Sequence, residues 1–507
     1  MSKLFKAAIG IGIITVISKV LGFAGSMILA YKFGTSSITD AYVLALSFPT
    51  VVFSFLLSGI TSAYIPIYSR IKDGQERIKF NGHIMTFNIF ISTILMVIFL
   101  LLSKQIVYIF APGFDDKTAE LAVKLFNIMI LILPAKGMFN VIAGYYHSLE
   151  RFNVVGVCNF LIVNLITILA ILLSSYSNPL PLASVYVGGY ILMTAGINIL
   201  SKRDGLHYQL SLNFKDSNLL ELFKLAIPMG LSLFANQINT VIDRMLASSL
   251  AEGTMTALNY ANNIINMILG FTITILATII YPRLNKLFAN NDIKEAKYYV
   301  NRGMMITTLL CIPASFALAT LSNPIVSLLY QRGTFDSKNT LITSQCLAFY
   351  SIGLTFYGYR EILTRALASC KKQNTIFFNT ILAIISNIIL NVILVRYFGH
   401  IGLALATSIS GGVSFILLYR SYYRVVGKDY TNENFKEIIK IIIASFLMSG
   451  VTWRLYNSLQ LYLGNGITII LVSCVGALLF FLIGYIIKIK ECRRIISFML
   501  INIRRKC

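Results

Sequence analysis

A handful of ionisable side chains stand inside stretches that are otherwise apolar. Lys19 lies near the middle of the first such stretch and Lys136 follows Pro134 in a later one. Asp243-Arg244 and Arg360-Glu361 are adjacent opposite charges, with Arg365 one turn further on, and Asp40 sits at the edge of its stretch. A charge in a hydrocarbon setting is costly and marks a functional position by default. Lys19 and Lys136 have no opposite charge within a turn of their own helix, which favours a wet cavity facing an anionic substrate over a dry core. The Asp243-Arg244 and Arg360-Glu361 pairs suit a gate or a structural pair equally. Asn262, Asn263 and Asn266, with Gln237 and Asn239, could line such a cavity or hydrogen-bond between helices.

Other chemistry has no footing. There is no GxxxxGK[ST], HExxH or GxSxG pattern, and the histidines (83, 147, 207, 400) are scattered. The seven cysteines form no CxxC pair and read as buried hydrophobes or free thiols. An enzyme needs converging acid, base or metal groups, so catalysis, cofactor and metal are not expected. Without ATPase motifs, a transporter here would be driven by an ion gradient, the membrane potential or downstream consumption of its substrate.

The elements that must position these residues are membrane helices. The chain is 57% hydrophobic and only 12% charged, with a mean hydropathy of +0.76. A span needs about 20 mostly apolar residues. Fourteen spans are expected, at 7–32, 41–68, 83–103, 120–147, 156–175, 182–200, 219–248, 256–282, 303–323, 340–369, 375–395, 400–420, 437–458 and 465–487. The first is too long, and too little like a cleavage site at its end, for a signal peptide. The fold class is therefore an all-α polytopic membrane protein.

Lys and Arg concentrate in alternate loops. Arg70, Lys72, Arg77 and Lys79 follow the second span, and Arg283, Lys286, Lys294 and Lys297 the eighth. The loop at 174–181 has no cation. This alternation places both termini in the cytoplasm. It also accounts for most of the +23 formal charge as basic loops beside anionic lipid, so nucleic acid is not an expected partner.

The chain repeats itself. Phe5-Lys6-Ala7-Ala8-Ile9 aligns with Phe223-Lys224-Leu225-Ala226-Ile227, and Gly12, Met27 and Tyr42 meet Gly230, Met245 and Tyr260 at the same offset of 218 residues. Phe114-Asp115 meets Phe335-Asp336 at an offset of 221. Six spans per copy make parallel repeats, an arrangement in which a substrate site at the repeat interface alternates access by rocking. The expected division is an N-terminal lobe at 1–215, a C-terminal lobe at 216–430, and two extra helices with a basic tail at 431–507.

Several segments together resemble the MviN/MurJ family of lipid II flippases, of the multidrug/oligosaccharidyl-lipid/polysaccharide exporter superfamily. They are Ile17-Ser18-Lys19-Val20-Leu21-Gly22-Phe23, Phe33-Gly34, Asp40-Ala41, Ala111-Pro112-Gly113-Phe114, Asp243-Arg244, Tyr260-Ala261, Gln331-Arg332-Gly333, Arg360-Glu361 with Arg365-Ala366, and the run from Gly399 to Ser408. The resemblance implies two six-helix lobes plus two C-terminal helices in the bacterial cytoplasmic membrane. It implies transfer of a polyprenyl-diphosphate-linked glycan, lipid II, between leaflets for cell-wall synthesis, by a monomer that could meet other cell-wall synthesis proteins. Lys19 would contact the diphosphate, Asn263 and Asn266 the sugar, with Ser18, Lys136 and Asn262 beside them. Asp40, Asp243, Arg244, Arg360, Glu361 and Arg365 would be gate or structural charges.

The departures bear on substrate choice. Where the family pattern has two arginines and an Asp in the first helix, this chain has Lys19, Gly25 and Ser26. Where it has Arg and Glu in the second span, this chain has Phe53 and Ser58. In the eighth span, Tyr-Ala-Asp-Arg-x-x-Glu reads Tyr260-Ala261-Asn262-Asn263-Ile264-Ile265-Asn266. A lysine keeps a point charge and loses the bidentate fork. The chain either binds the lipid II headgroup through Lys19, Lys136 and amides, or carries another lipid-linked glycan. A multidrug or cation antiporter is the alternative within the same superfamily. A membrane scaffold for envelope synthesis is a third reading.

Overall fold

With no water in the bilayer core, each backbone N–H and C=O must be answered within the protein, and an apolar segment does this as a helix. The structure, a computed structural model, describes residues 3–56, 58–211, 213, 216–427 and 432–494, and they contain no strand. Ten helical segments among them are long and apolar enough to cross a membrane. The chain is an all-α, multi-pass membrane protein. Contacts divide it into two compact units, Met1–Thr256 with Arg332–Phe335, and Ala257–Gln331 with Asp336–Cys507.

The first unit contains α1 (Lys3–Phe33), α2 (Ser37–Leu56), α3 (Ser58–Arg70), α4 (Gly74–Leu101), α5 (Ser103–Phe110), α6 (Asp116–Met129), α7 (Leu133–Ser148), α8 (Phe152–Gly156), α9 (Val163–Leu173), α10 (Pro181–Arg203) and α11 (Ser217–Ser248). Some expected spans are broken helices. Pro134 has no N–H to continue the ladder, and a 3₁₀ turn at Ile130–Ile132 joins α6 to α7. A π-helical stretch, Val157–Ile162, joins α8 to α9.

Helix α11 begins the second sequence copy yet packs within the first unit, on α2 and α3. Its contact with α3 is close: a Cβ on Gly59 would overlap the Ala226 carbonyl. The linker before it is stitched down. Asp204 is held by Tyr146 Oη at 2.9 Å and Arg151 Nη1 at 3.0 Å, and Asn81 Nδ2 donates to the His207 carbonyl at 3.2 Å. Asp216 caps α11 by accepting from Asn218 N and Leu219 N, and it also meets His83 Nδ1 at 2.7 Å. The repeat boundary expected at 215/216 and the packing boundary after Thr256 are thus different places. A linker rich in local hydrogen bonds ties α11 to what precedes it.

The second unit contains α12 (Thr254–Phe271), α13 (Ile273–Ala289), α14 (Ile293–Thr320), α15 (Ser322–Tyr330), α16 (Ser337–Ile352), α17 (Leu354–Ser369), α18 (Gln373–Phe398), α19 (His400–Val426) and α20 (Asn432–Ile486); the first three residues of α12 pack with the first unit. Helices α13, α14, α17 and α19 share a core around Leu284, Val300, Leu363, Leu367 and Tyr422. Helix α20 is two legs meeting at Gly464, whose φ of 70° is available to glycine at little cost. These legs are the expected extra pair. They dock on α14 through Ile441, Ala444, Met448 and Phe480 against Leu309 and Ile312.

Asn465 pins the turn of that hairpin. It donates to Ser327 Oγ at 3.1 Å and to the Pro324 carbonyl at 3.4 Å, and accepts from Tyr456 Oη at 2.9 Å. Interhelical hydrogen bonds in membranes are worth about 1 kcal/mol. Trp453, the only tryptophan, lies on the same hairpin, so its fluorescence reports docking. Asn465→Ala is expected to lower the Trp453 melting midpoint in detergent by a few degrees. An unchanged midpoint would show that the apolar contacts alone hold the hairpin.

Candidate functional site

The most completely built polar site in the first unit surrounds Asp40. Helix α1 ends at Phe33, Gly34 turns the chain at φ 61°, and α2 starts at Ser37. Asp40 lies in the first turn of α2 and is buried. Its carboxylate accepts from Gly253 N at 2.8 Å, Thr256 N at 2.8 Å and Thr256 Oγ1 at 2.6 Å. In return, Glu252 Oε1 accepts from Ser37 N at 2.8 Å. An acid at a helix N-terminus satisfies orphan N–H groups and meets the positive end of the dipole. Here the two helix starts exchange caps: Asp40 of α2 serves α12, and Glu252 before α12 serves α2. Gly253 has φ 81°, and a Cβ there would overlap the Thr35 carbonyl. Beside the clasp is a cavity of about 210 Å³ lined by Ser37, Asp40, Phe114, Asp115, Thr118 and Glu252 among others.

The expected substrate-binding cations lie elsewhere in this unit. Lys19 is half-buried on α1, and its neighbour Ser18 is buried. The Ser18 hydroxyl and carbonyl both accept from Asn164 Nδ2 at 3.0 Å. Ser18 therefore ties α1 to α9, and Lys19 presents the accessible surface of the pair. Lys136 is half-buried on α7, one turn from Asn140. Those two share a helix face, and Asn140 is bonded by Thr61 of α3. Asp243 and Arg244 are half-buried on α11. Among the described residues, Arg244 Nη1 and Asn239 Oδ1 are buried polar atoms without a hydrogen-bond partner. The side chains of Phe53 and Ser58 lie outside the described ones.

The remaining expected residues belong to the second unit. On α12, Asn262 and Asn266 are exposed and Asn263 is half-buried; spacings of three and four keep Asn266 on the face of both others. On α17, the adjacent charges Arg360 and Glu361 do not answer each other. Glu361 pairs with Arg365 one turn on, at 3.0 Å, and Arg365 lies 5.6 Å from the Tyr281 ring. Arg360 is exposed and stands 5.9 Å over the Tyr357 ring. Successive helix residues point about 100° apart, so an i,i+4 partner wins over an i,i+1 partner. Among the described residues, no group of His, Cys, Asp and Glu is arranged to hold a metal.

Comparison with known proteins identifies the family. A family model described as "Lipid II flippase MurJ" matches residues 29–473. The chain belongs to the MurJ family. A probable lipid II flippase MurJ of Buchnera aphidicola subsp. Schizaphis graminum is 29% identical over 456 residues, covering 88% of each chain. The lipid II flippase MurJ of Thermosipho africanus is 28% identical and covers 87% of this chain and 90% of its own. A structure described as lipid II flippase MurJ in an inward closed conformation matches with TM-score 0.81 and 27% identity, over 94% of this chain and 98% of that one. A multidrug resistance transporter in an inward-facing conformation shares only the fold, with TM-score 0.64 and 14% identity.

The sequence singles out Asp40 of this site but none of its partners. Glu252, Gly253 and Thr256 lie more than 200 residues away in sequence, in a turn whose one signal was the lone Glu-Gly between two apolar runs. Removing a carboxylate that accepts three hydrogen bonds leaves its donors buried and costs about 2–3 kcal/mol. Asp40→Ala is expected to speed hydrogen exchange of the Gly253 and Thr256 amides at least tenfold, with Asp40→Asn intermediate. Equal exchange in all three would mean the clasp does not hold the start of α12.

Proposed function

We propose that the chain translocates lipid II from the inner to the outer leaflet of a bacterial cytoplasmic membrane, supplying peptidoglycan synthesis. Membership of the MurJ family over residues 29–473 carries this reading. The protein acts as a transporter, with no chemical step on its substrate. Both termini face the cytoplasm, on the evidence of basic loops such as that holding Arg283, Lys286, Lys294 and Lys297.

The headgroup of such a substrate is a diphosphate bearing sugar and peptide. Lys19 is half-buried, and no hydrogen bond or ion pair of its ammonium is found among the described residues. It supplies the point charge for the diphosphate. Lys136 adds a second cation, and Asn262, Asn263 and Asn266 offer amide donors and acceptors to the sugar. Loading takes place from the cytoplasmic side while the Asp40–Gly253–Thr256 clasp holds the outer side shut. Release follows when the clasp opens. With no ATP-binding motif in the chain, the cycle draws on an ion gradient, the membrane potential or consumption of lipid II outside. A monomer suffices for this scheme, and contacts with cell-wall synthesis proteins are compatible with it.

One observation favours a second reading. Gly25, Phe53 and Asn263 occupy positions where the family pattern carries arginine, so a different polyprenyl-diphosphate-linked glycan is the competing cargo. Complementation of a lipid II flippase-depleted bacterium separates the two. Wild type and Lys19→Arg are expected to restore growth, and Lys19→Ala to lower the rate at least tenfold, as loss of a charge-assisted phosphate contact implies. Rescue by Lys19→Ala would end the phosphate role of Lys19. Failure of an inserted wild type would favour the other cargo.

A further inference from the structure

The segment Arg332–Phe335 lies between two helices of the second unit, α15 and α16, yet packs with the first. Its contact is the end of α1. Thr334 N donates to the Tyr31 carbonyl at 3.0 Å, and Thr334 Oγ1 donates to the same oxygen at 3.1 Å. Gly333 has φ 61° and rests on Tyr31, where a Cβ would overlap the carbonyl and crowd the ring. Those carbonyls at the end of a helix have no partner within it. The segment is therefore a cap delivered by a distant part of the chain.

The same device occurs a second time. Gly113 lies in the Ala111–Phe114 turn between α5 and α6, and its N–H donates to Ser248 Oγ at the end of α11, at 3.4 Å. A Cβ on Gly113 would overlap the Ser248 carbonyl and crowd the Ser249 backbone. The duplication relates the two contacts. Gly113 and Thr334 are 221 residues apart, the offset that aligns Phe114-Asp115 with Phe335-Asp336. At the 218-residue offset that aligns the starts of α1 and α11, Tyr31 corresponds to Ser249, the neighbour of Ser248. Equivalent N–H groups thus reach the ends of equivalent helices within one residue of register, one meeting a carbonyl and the other a hydroxyl, and each strap grips the first helix of the other copy. The Asp40 clasp has no such twin, because the position 218 residues on is Leu258.

We propose that Arg332–Phe335 is a second outer latch, a gate element of the transport cycle that must leave Tyr31 before the outer side opens. It is separate from the Asp40 clasp and is the twin of the Gly113 strap. The latch rests on the transport reading for its consequence, while its geometry stands without it. A contact swapped between copies resists separation of the copies and costs nothing to motions within either one. Gly333 is the position where a single methyl group would undo it.

The test uses the full-length chain in spheroplasts, with native cysteines replaced by serine and Thr118→Cys as reporter. Thr118 is buried and lines the cavity beside the Asp40 clasp. A membrane-impermeant maleimide is expected to label it roughly tenfold faster in the presence of Gly333→Ala, the shift that loss of about one net hydrogen bond and its packing produces. Unchanged labelling overturns the proposal. The second variant, Tyr31→Cys with Thr334→Cys, is oxidised to lock the latch. Lipid II transport is expected to stop on oxidation and return on reduction, and a locked chain that transports at the reduced rate overturns the proposal. Faster labelling in Gly333→Ala together with no lipid II transport by the reduced chain upholds the latch and rejects the cargo.

Discussion

A carboxylate withdrawn from water has to be met by donors, and Asp40 is met by the start of another helix. Three hydrogen bonds from Gly253 and Thr256 hold it, and Glu252 returns the favour at Ser37. Asp40 is buried and would not be stable in its place without these donors, whereas Glu252 is exposed. The pair fixes where α2 begins, where α12 begins, and how the turn between α11 and α12 runs. Glycine is required at 253 because the backbone there has positive φ and passes against Thr35. A short polar turn therefore controls the ends of long apolar helices that have little else polar to specify their registration.

The same economy recurs at several other helix contacts. Helix ends and helix breaks leave unsatisfied backbone groups, and this chain meets them with side chains or loops from far away in sequence. Lys32 Nζ donates to the carbonyls of Ile171, Leu172 and Ser174 at the end of α9. Asn164 answers Ser18, and Asn465 answers Ser327 and Tyr456. Apolar faces supply adhesion, but lipid competes for them, so these polar contacts carry much of the specificity. They are also breakable one at a time.

The helices, their order and the duplication were legible because hydropathy and internal alignment are local or periodic signals. The family could be recognised for the same reason, from motifs kept in order along the chain. Pairings were harder. Glu361 stands next to Arg360 in sequence but pairs with Arg365, since helical geometry sets neighbours at i+4. Ser18 adjoins Lys19 yet is spent on Asn164. The partners of Asp40 and of Tyr31 are contributed by turns that hydropathy treats as featureless. The attachment of α11 to the first unit also has no periodic signature, because it depends on Asp204, Asp216 and close glycine contacts rather than on the repeat.

Movement of lipid II between leaflets is open to direct measurement. In cells where this chain is the only lipid II flippase, spheroplasts are treated with an enzyme that cleaves lipid II in the outer leaflet alone. Translocation predicts that most of the lipid II pool becomes cleavable while the chain is expressed, and that it becomes protected when the chain is depleted. A pool that stays protected, with the chain inserted at normal levels, would show that the chain does not translocate lipid II.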